Sequence, residues 1–286
     1  LPHDASSKTL AAAGLPLFTN VRNCTRTISL MHQYKEKQKS LSKDEVQSKN
    51  KLGDISKLEK EIRRQATNIT EFHSMELLHQ CGISVNRGII VNDIESLIKA
   101  AESLDCPVAL KIQSSDIPHK SSAGGVALNL TGNDEIVNGF DNIIQNIKNN
   151  LPTAAIDGVL VQRMVEPGLE VILGITNKDG FGPILMVGFG GTSVEASGDV
   201  AFALCPVTPK KCENLLGTLK GSSLLDKKRY DIPALLRLMT TLSSFSISVQ
   251  HLISEIDLNP IILHSPGNGI SVVDALMVKS DETSKR

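Results

Sequence analysis

The segment "PVALKIQSSDIPHKSSAGGVALNL", residues 107–130, is the strongest constraint on the fold. Two apolar runs suited to a pleated surface flank a polar loop ending in paired glycines, the pattern of a strand pair joined through a loop. Side chains alternate along a strand, so Val108 and Leu110 share one face while Ala109 and Lys111 share the other. Lysine is among the residues least often buried, because its ammonium loses hydration unless an anion meets it. A lysine facing a covered sheet therefore asks for an anion. The plainer alternative is a surface lysine on a half-exposed strand, and the strand taken alone favours it.

The loop shifts the balance. It supplies a second cation in Lys120, the hydroxyls of Ser121 and Ser122, and the adjacent Gly124 and Gly125. Without a Cβ, glycine lets backbone N–H groups come close to an oxyanion. A cation on a strand beside such a turn is one way to hold a polyphosphate, although no G-x-x-x-x-G-K-[ST] motif occurs in the chain. His119 stands in the same loop, and an imidazole nitrogen is nucleophilic enough near neutral pH to accept a phosphoryl group. For an isolated loop histidine a surface role is the commoner one.

Elsewhere strands and helices mix without strict βαβ alternation. "TEFHSMELLHQCGI" carries Phe72, Met75, Leu77 and Leu78 at helical spacing, with Thr70 placed as an N-cap and Gly82 as a stop. "DIESLIKAAESL", "NDEIVNGFDNIIQNIKNN" and "IPALLRLMTTLSSFSIS" read as further helices. "GVLVQRMV", "LEVILGITNK" and "PILMVGFGG" read as strands, and "ISEIDLNPIILH" with "GISVVDALMV" as a closing hairpin. The class is α/β of the α+β type.

Three of these stretches carry groups with chemistry. Alternation in "EIDLNPIIL" puts Glu255, Asp257 and Asn259 on one face, with Asp274 on the partner strand. Such oxygens suit a hard cation, Mg²⁺, that bridges substrate phosphates; the alternative is an edge strand with a polar face. "GVLVQRMVEPGLEVILG" ends one apolar strand at Gln162 and opens the next near Glu170. On those residues alone an ordinary hairpin turning at Pro167 and Gly168 is favoured over a hinge that offers amides to an adenine edge. "VGFGGTSVEASGDV" breaks an apolar strand with Gly188, Gly190 and Gly191, which asks for backbone close to something, with Glu195 and Asp199 beyond.

The texture before residue 69 is different. Residues 8–34 read as a helix end, a short strand at 15–18 and an amphipathic helix, with no sheet of their own to complete. Residues 35–68 are almost purely polar and read as a linker, partly helical at most. Residues 281–286 are expected to be a disordered C-terminus.

Composition removes several function classes. Lys and Arg number 30 against 31 Asp and Glu, so no global field draws nucleic acid or an acidic membrane, and the absence of Trp leaves little for base stacking. No apolar run approaches a membrane span. The five cysteines are scattered without a C-x-x-C, which points to a reducing, cytoplasmic setting rather than a disulfide framework or structural zinc.

Taken in order, "PVALKIQSSDIPHKSSAGGV", "GVLVQRMVEPGLEVILG", "FGPILMVGFGGTSVE" and "EIDLNPIIL" resemble the ATP-grasp domain of the ADP-forming acyl-CoA synthetases, relatives of the succinyl-CoA synthetase β subunit. The resemblance implies an ATP-grasp fold over 69–280, two lobes clasping ATP. It places Lys111 on the nucleotide phosphates with Gly124, Gly125 and Val126 covering them. Gln162, Arg163, Met164 and Val165 would hold adenine, Glu170 the ribose, and Asp257, Asn259 and Asp274 Mg²⁺. In this family a phosphoryl group passes from ATP through phosphohistidine to an acyl phosphate that CoA attacks, and His119 would shuttle it. Residues 1–34 look like the end of the CoA-ligase part that precedes this domain in fused members. The CoA-binding part and the principal phosphohistidine are then expected in a partner domain or alpha subunit. A second reading is a nucleotide-sensing module like those fused to protein acetyltransferases; His119 together with a metal site favours the enzyme. Ala203 stands where many members carry arginine.

Overall fold

The structure is a computed structural model and describes residues 4–15, 17–18, 20–43, 54–104, 107–178, 180–191 and 198–280. The chain divides into two compact units, 1–47 and 48–286. In the first, α1 (Asp4–Ala12) is followed by α2 (Val21–Lys43). The strand expected at 15–18 is absent among the described residues there. A lone strand has no ladder to satisfy its N–H and C=O groups, and Leu15 and Leu17 are exposed. Helix α2 runs through 35–43, so the first part of the expected linker is helical.

The second unit opens with α3 (Ile55–Arg64), which corrects the linker reading again. Its Leu58 and Ile62 are 1% and 0% exposed within the larger hydrophobic core. Burying each side chain contributes about 1.5–3 kcal/mol. The Asp54 carboxylate accepts from Lys57 N at its start, and the Lys279 ammonium donates to Gln65 O at its end, at 2.8 Å. The rest of the expected linker, 44–53, lies outside the described residues, as does 281–286.

The remaining elements are β1 (Asn68–Ile69), α4 (Glu71–Gln80), β2 (Gly88–Val91), α5 (Ile94–Leu104), β3 (Val108–Gln113), β4 (Val126–Leu130), α6 (Asn133–Asn150) and β5 (Gly158–Arg163). They continue with β6 (Leu169–Lys178), β7 (Gly182–Phe189), β8 (Val200–Leu204), α7 (Pro209–Leu216), α8 (Ile232–Val249), β9 (Ile253–Leu263), β10 (Ile270–Val272) and β11 (Ala275–Lys279). The strands form two sheets: β2-β5-β3-β4, and β1-β11-β9-β6-β7-β8 with β10 on β9. All of these ladder pairs are antiparallel, as the α+β reading requires.

Each sheet has its own core. In the small lobe Val108, Leu110 and Ile112 pack with Leu97, Ile143 and Val161 beneath α5 and α6. In the large lobe β6, β7 and β9 pack against α4, α7 and α8. Helix α8 is long and apolar enough to cross a membrane, but Leu235, Met239, Leu242 and Phe245 are buried in that core.

Two sequence readings change here. Strand β5 belongs to the small sheet and β6 to the large one, so the stretch around Pro167 crosses between lobes and is not a hairpin. The closing strand breaks at Val273 and Asp274 into β10 and β11, each pairing with its own part of β9.

Candidate functional site

Every residue of β3 is buried, and Lys111 is 4% exposed, which removes the surface-lysine alternative. Its ammonium donates to Glu71 Oε1 at 2.7 Å and to Val273 O at 2.8 Å. Within the fold, the anion it asks for is Glu71. That residue opens α4, where the helix dipole favours a carboxylate. Phe72 N donates to Gln113 Oε1 at 3.0 Å, which ties the start of α4 to the end of β3.

Glu71 serves a second lysine. Lys120 Nζ lies 3.0 Å from Glu71 Oε2 and 3.1 Å from Asp274 Oδ1. Two ammonium groups of the small lobe thus meet two carboxylates of the large lobe. Burial pushes the Glu71 carboxyl above the usual glutamate range, against the pull of Lys111. Burial also opposes the Lys120 ammonium, but the Glu71 and Asp274 carboxylates outweigh it and hold its pKa above the usual lysine value.

The glycine pair has a different role from the one its composition suggests. Gly125 N donates to Lys120 O at 2.8 Å and Gly124 N to Ser121 O at 3.1 Å, so both amides are used inside the loop. A Cβ on Gly125 would lie 2.4 Å from Ile112 Cγ2, and Gly124 adopts a left-handed φ of +71°. These glycines let the loop fold tightly onto β3. Val126 pairs with Lys111 across β3 and β4.

His119, Ser121, Ser122, Asp257, Asn259 and Asp274 line one cavity of about 410 Å³, with Lys120 in its wall. Alternation along β9 presents Asp257 and Asn259 to it, and Asn259 N donates to Asp274 O at 3.2 Å across the strand break. Glu255 shares that face but does not line the cavity. Among the described residues no group of three or more His, Cys, Asp or Glu stands together. Two carboxylates and an amide nevertheless fit Mg²⁺, which keeps water and substrate oxygens in much of its shell. His119 itself is exposed, free to meet a phosphoryl group at the cavity.

The hinge residues lie elsewhere. Arg163, Met164 and Val165 line a cavity of about 810 Å³ with Tyr230, His264 and Ser271. Gln162 is buried on the same face of the small sheet as Lys111, its Nε2 donating to Asn86 O at 2.7 Å. Glu170 is exposed at the start of β6, beside Gly190, where a Cβ would sit 3.0 Å from Glu170 Cβ. That contact explains Gly190, and Val200 against Gly188 explains the other early glycine. Residues 192–197, Glu195 among them, lie outside the described residues. Ala203 pairs with Leu185 and packs against the large-lobe core.

Sequence reasoning missed Glu71, and it missed the pairing of Lys120 with Glu71 and Asp274. An acidic residue in the first turn of a helix is ordinary, and nothing local marks one that faces two lysines.

Residues 60–278 match the ATP-grasp domain family. Over 231 residues the chain is 32% identical to the beta subunit of ADP-forming acetate–CoA ligase II of Pyrococcus furiosus, covering 79% of this chain and 98% of that one. This chain belongs to the ATP-grasp family of ADP-forming acyl-CoA ligases. A further relative is the ADP-forming 4-hydroxybutyrate–CoA ligase of Nitrosopumilus maritimus, 32% identical over 93% of this chain but only 38% of its own length. The chain therefore spans about two fifths of such longer relatives, as the 41% for ADP-forming acetate–CoA ligase I of Archaeoglobus fulgidus also shows. Among solved structures, the dinucleotide-forming acetyl-coenzyme A synthetase 1 of Ca. Korarchaeum cryptofilum, in complex with coenzyme A and Ca-AMPCP, matches at 32% identity and TM-score 0.73, covering 79% of this chain and 99% of that one. The same synthetase is solved with Mg-AMPPCP and its phosphohistidine segment pointing towards the nucleotide site.

Proposed function

We propose that this chain is the ATP-binding, phosphoryl-transferring component of an ADP-forming acyl-CoA synthetase, which converts acid, CoA and ATP to acyl-CoA, ADP and phosphate. The observation that carries the reading is the cavity that joins His119 to Asp257, Asn259 and Asp274 under Lys120. Lys120, in the cavity wall, faces the phosphates; Lys111, buried on Glu71 and Val273 O, is given to them by the resemblance, with Val126 beside it and Gly124 and Gly125 shaping the loop. Gln162, Arg163, Met164 and Val165 receive the adenine end and Glu170 the ribose. Asp257, Asn259 and Asp274 hold Mg²⁺, which when bound neutralises phosphate charge.

An imidazole nitrogen of His119 attacks the γ-phosphorus as the P–O bond to the β-phosphate oxygen breaks and ADP leaves. The P–N bond on His119 is broken in turn when an imidazole nitrogen of the partner's phosphohistidine takes the phosphoryl group; a carboxylate oxygen of the acid then breaks that second P–N bond to form the acyl phosphate, from which the CoA thiolate displaces phosphate. CoA binding and the principal phosphohistidine belong to a partner domain or alpha subunit, as the longer relatives and the beta-subunit relatives suggest. The free thiols at Cys24, Cys81, Cys205 and Cys212 suit a reducing cytoplasm.

The test is incubation with Mg²⁺ and γ-labelled ATP, with and without the CoA-binding partner. Acid-labile, base-stable label on this chain, lost in His119→Ala, is expected. Equal label in His119→Ala, or none on either protein with the partner present, contradicts the shuttle.

A further inference from the structure

The Lys120 ammonium stands where a metal's charge is wanted. It contacts Asp274 Oδ1 at 3.1 Å, and its side chain is 10% exposed, while Asp274 is 28% exposed and opens to the cavity. A carboxylate oxygen engaged by a buried ammonium is a poorer ligand for a divalent cation, because the two positive charges repel at short range. Lys120 is also anchored independently of Asp274. Its other contact is Glu71 Oε2 at 3.0 Å, a carboxylate fully buried at the start of α4 and fixed from the far side by Lys111. Its backbone carbonyl accepts from Gly125 N, which pins the loop.

We propose that Lys120 is a positioning residue that competes with the divalent cation for Asp274. When the cation takes Asp274, Lys120 keeps Glu71 as its counter-ion and turns its remaining N–H groups to the phosphate oxygens beside His119. The exchange ties metal entry to release of an ammonium at the position where phosphoryl charge develops. It rests on the metal role of Asp274 given above, and neither Glu71 nor Lys120 is among the residues to which the family resemblance gives a role.

The test is Mn²⁺ titration of the full chain followed by electron paramagnetic resonance, a readout independent of turnover. Lys120→Met is expected to bind Mn²⁺ about fivefold more tightly than wild type, the size of one released ion pair. Lys120→Gln, a smaller disturbance to packing, shifts in the same direction, and Lys120→Arg restores wild-type affinity by keeping the charge. Asp274→Asn weakens Mn²⁺ binding in the same assay. If Asp274→Asn weakens binding but Lys120→Met and Lys120→Gln leave it unchanged or weaker, the competition is wrong and the metal site stands. If Asp274→Asn binds Mn²⁺ as wild type does, the metal role of Asp274 fails and the competition fails with it.

Discussion

The two ends of the cleft are built on different principles. At the phosphate end, side-chain charges hold the lobes: Lys111 and Lys120 from one meet Glu71 and Asp274 from the other. At the hinge end, the partners are backbone groups, around one buried carboxylate. Met164 N donates to Pro107 O, and Asp231 accepts from Ala234 N, Gly267 N and Gly269 N, fixing the turn beside His264. Buried charges resist being left unpaired and keep one geometry, whereas a cavity lined by backbone and half-exposed side chains tolerates change. The phosphate end is therefore the sensitive one.

The sharpest way to break that contrast is Glu71→Ala, which leaves the buried Lys111 ammonium with only Val273 O and Lys120 with Asp274 alone. It is expected to cost about 3–5 kcal/mol by urea unfolding. A loss below about 1 kcal/mol, the scale of a surface pair, would show that the network is surface-like. Gly125→Ala comes next at about 1–3 kcal/mol, because its Cβ must push Ile112 aside.

At the hinge end Asp231→Asn keeps a capping oxygen for Ala234 N but turns an amide NH2 toward Gly267 N and Gly269 N, and should cost about 1–2 kcal/mol, the scale of buried donors left unpaired. Burial opposes the Asp231 charge, yet the N–H groups of Ala234, Gly269 and Gly267 hold its carboxyl below the usual aspartate range. Its contribution is therefore full above the ordinary aspartate pKa and is lost as pH falls through the lowered folded value. The gap between wild type and Asp231→Asn should close on acidification; a gap that widens would reverse the assignment. Smallest is Arg163→Ala, which should change nucleotide affinity by no more than a few-fold in calorimetry. A loss as large as that from a phosphate-end lysine would erase the difference between the two ends.

Strand and helix patterns were legible where apolar residues recur at a regular spacing. β3, β9 and α8 carry clean apolar spacing, and the faces of Val108 and Asp257 follow from alternation alone. Helix α3 was hidden because Ile55, Leu58 and Ile62 form a thin stripe in a charged run, and only the core they enter reveals it. The crossing at Pro167 was hidden because strand pairing is decided by partners far along the chain. For the candidate site, residue types pointed to Asp257, Asn259 and Asp274, which the fold brings to one cavity, and to Lys111, which it buries against Glu71. Glu71 stayed silent, because its meaning lies in a contact across 40 residues of sequence.

The most direct measurement of the central claim is calorimetric titration of Mg-AMPPCP into wild type and Lys111→Met, with circular dichroism to confirm that both are folded. The account predicts that wild type binds and that the variant loses about tenfold or more in affinity, the worth of a charge-assisted hydrogen bond to phosphate. Equal affinities in two folded proteins would contradict a nucleotide phosphate site at Lys111.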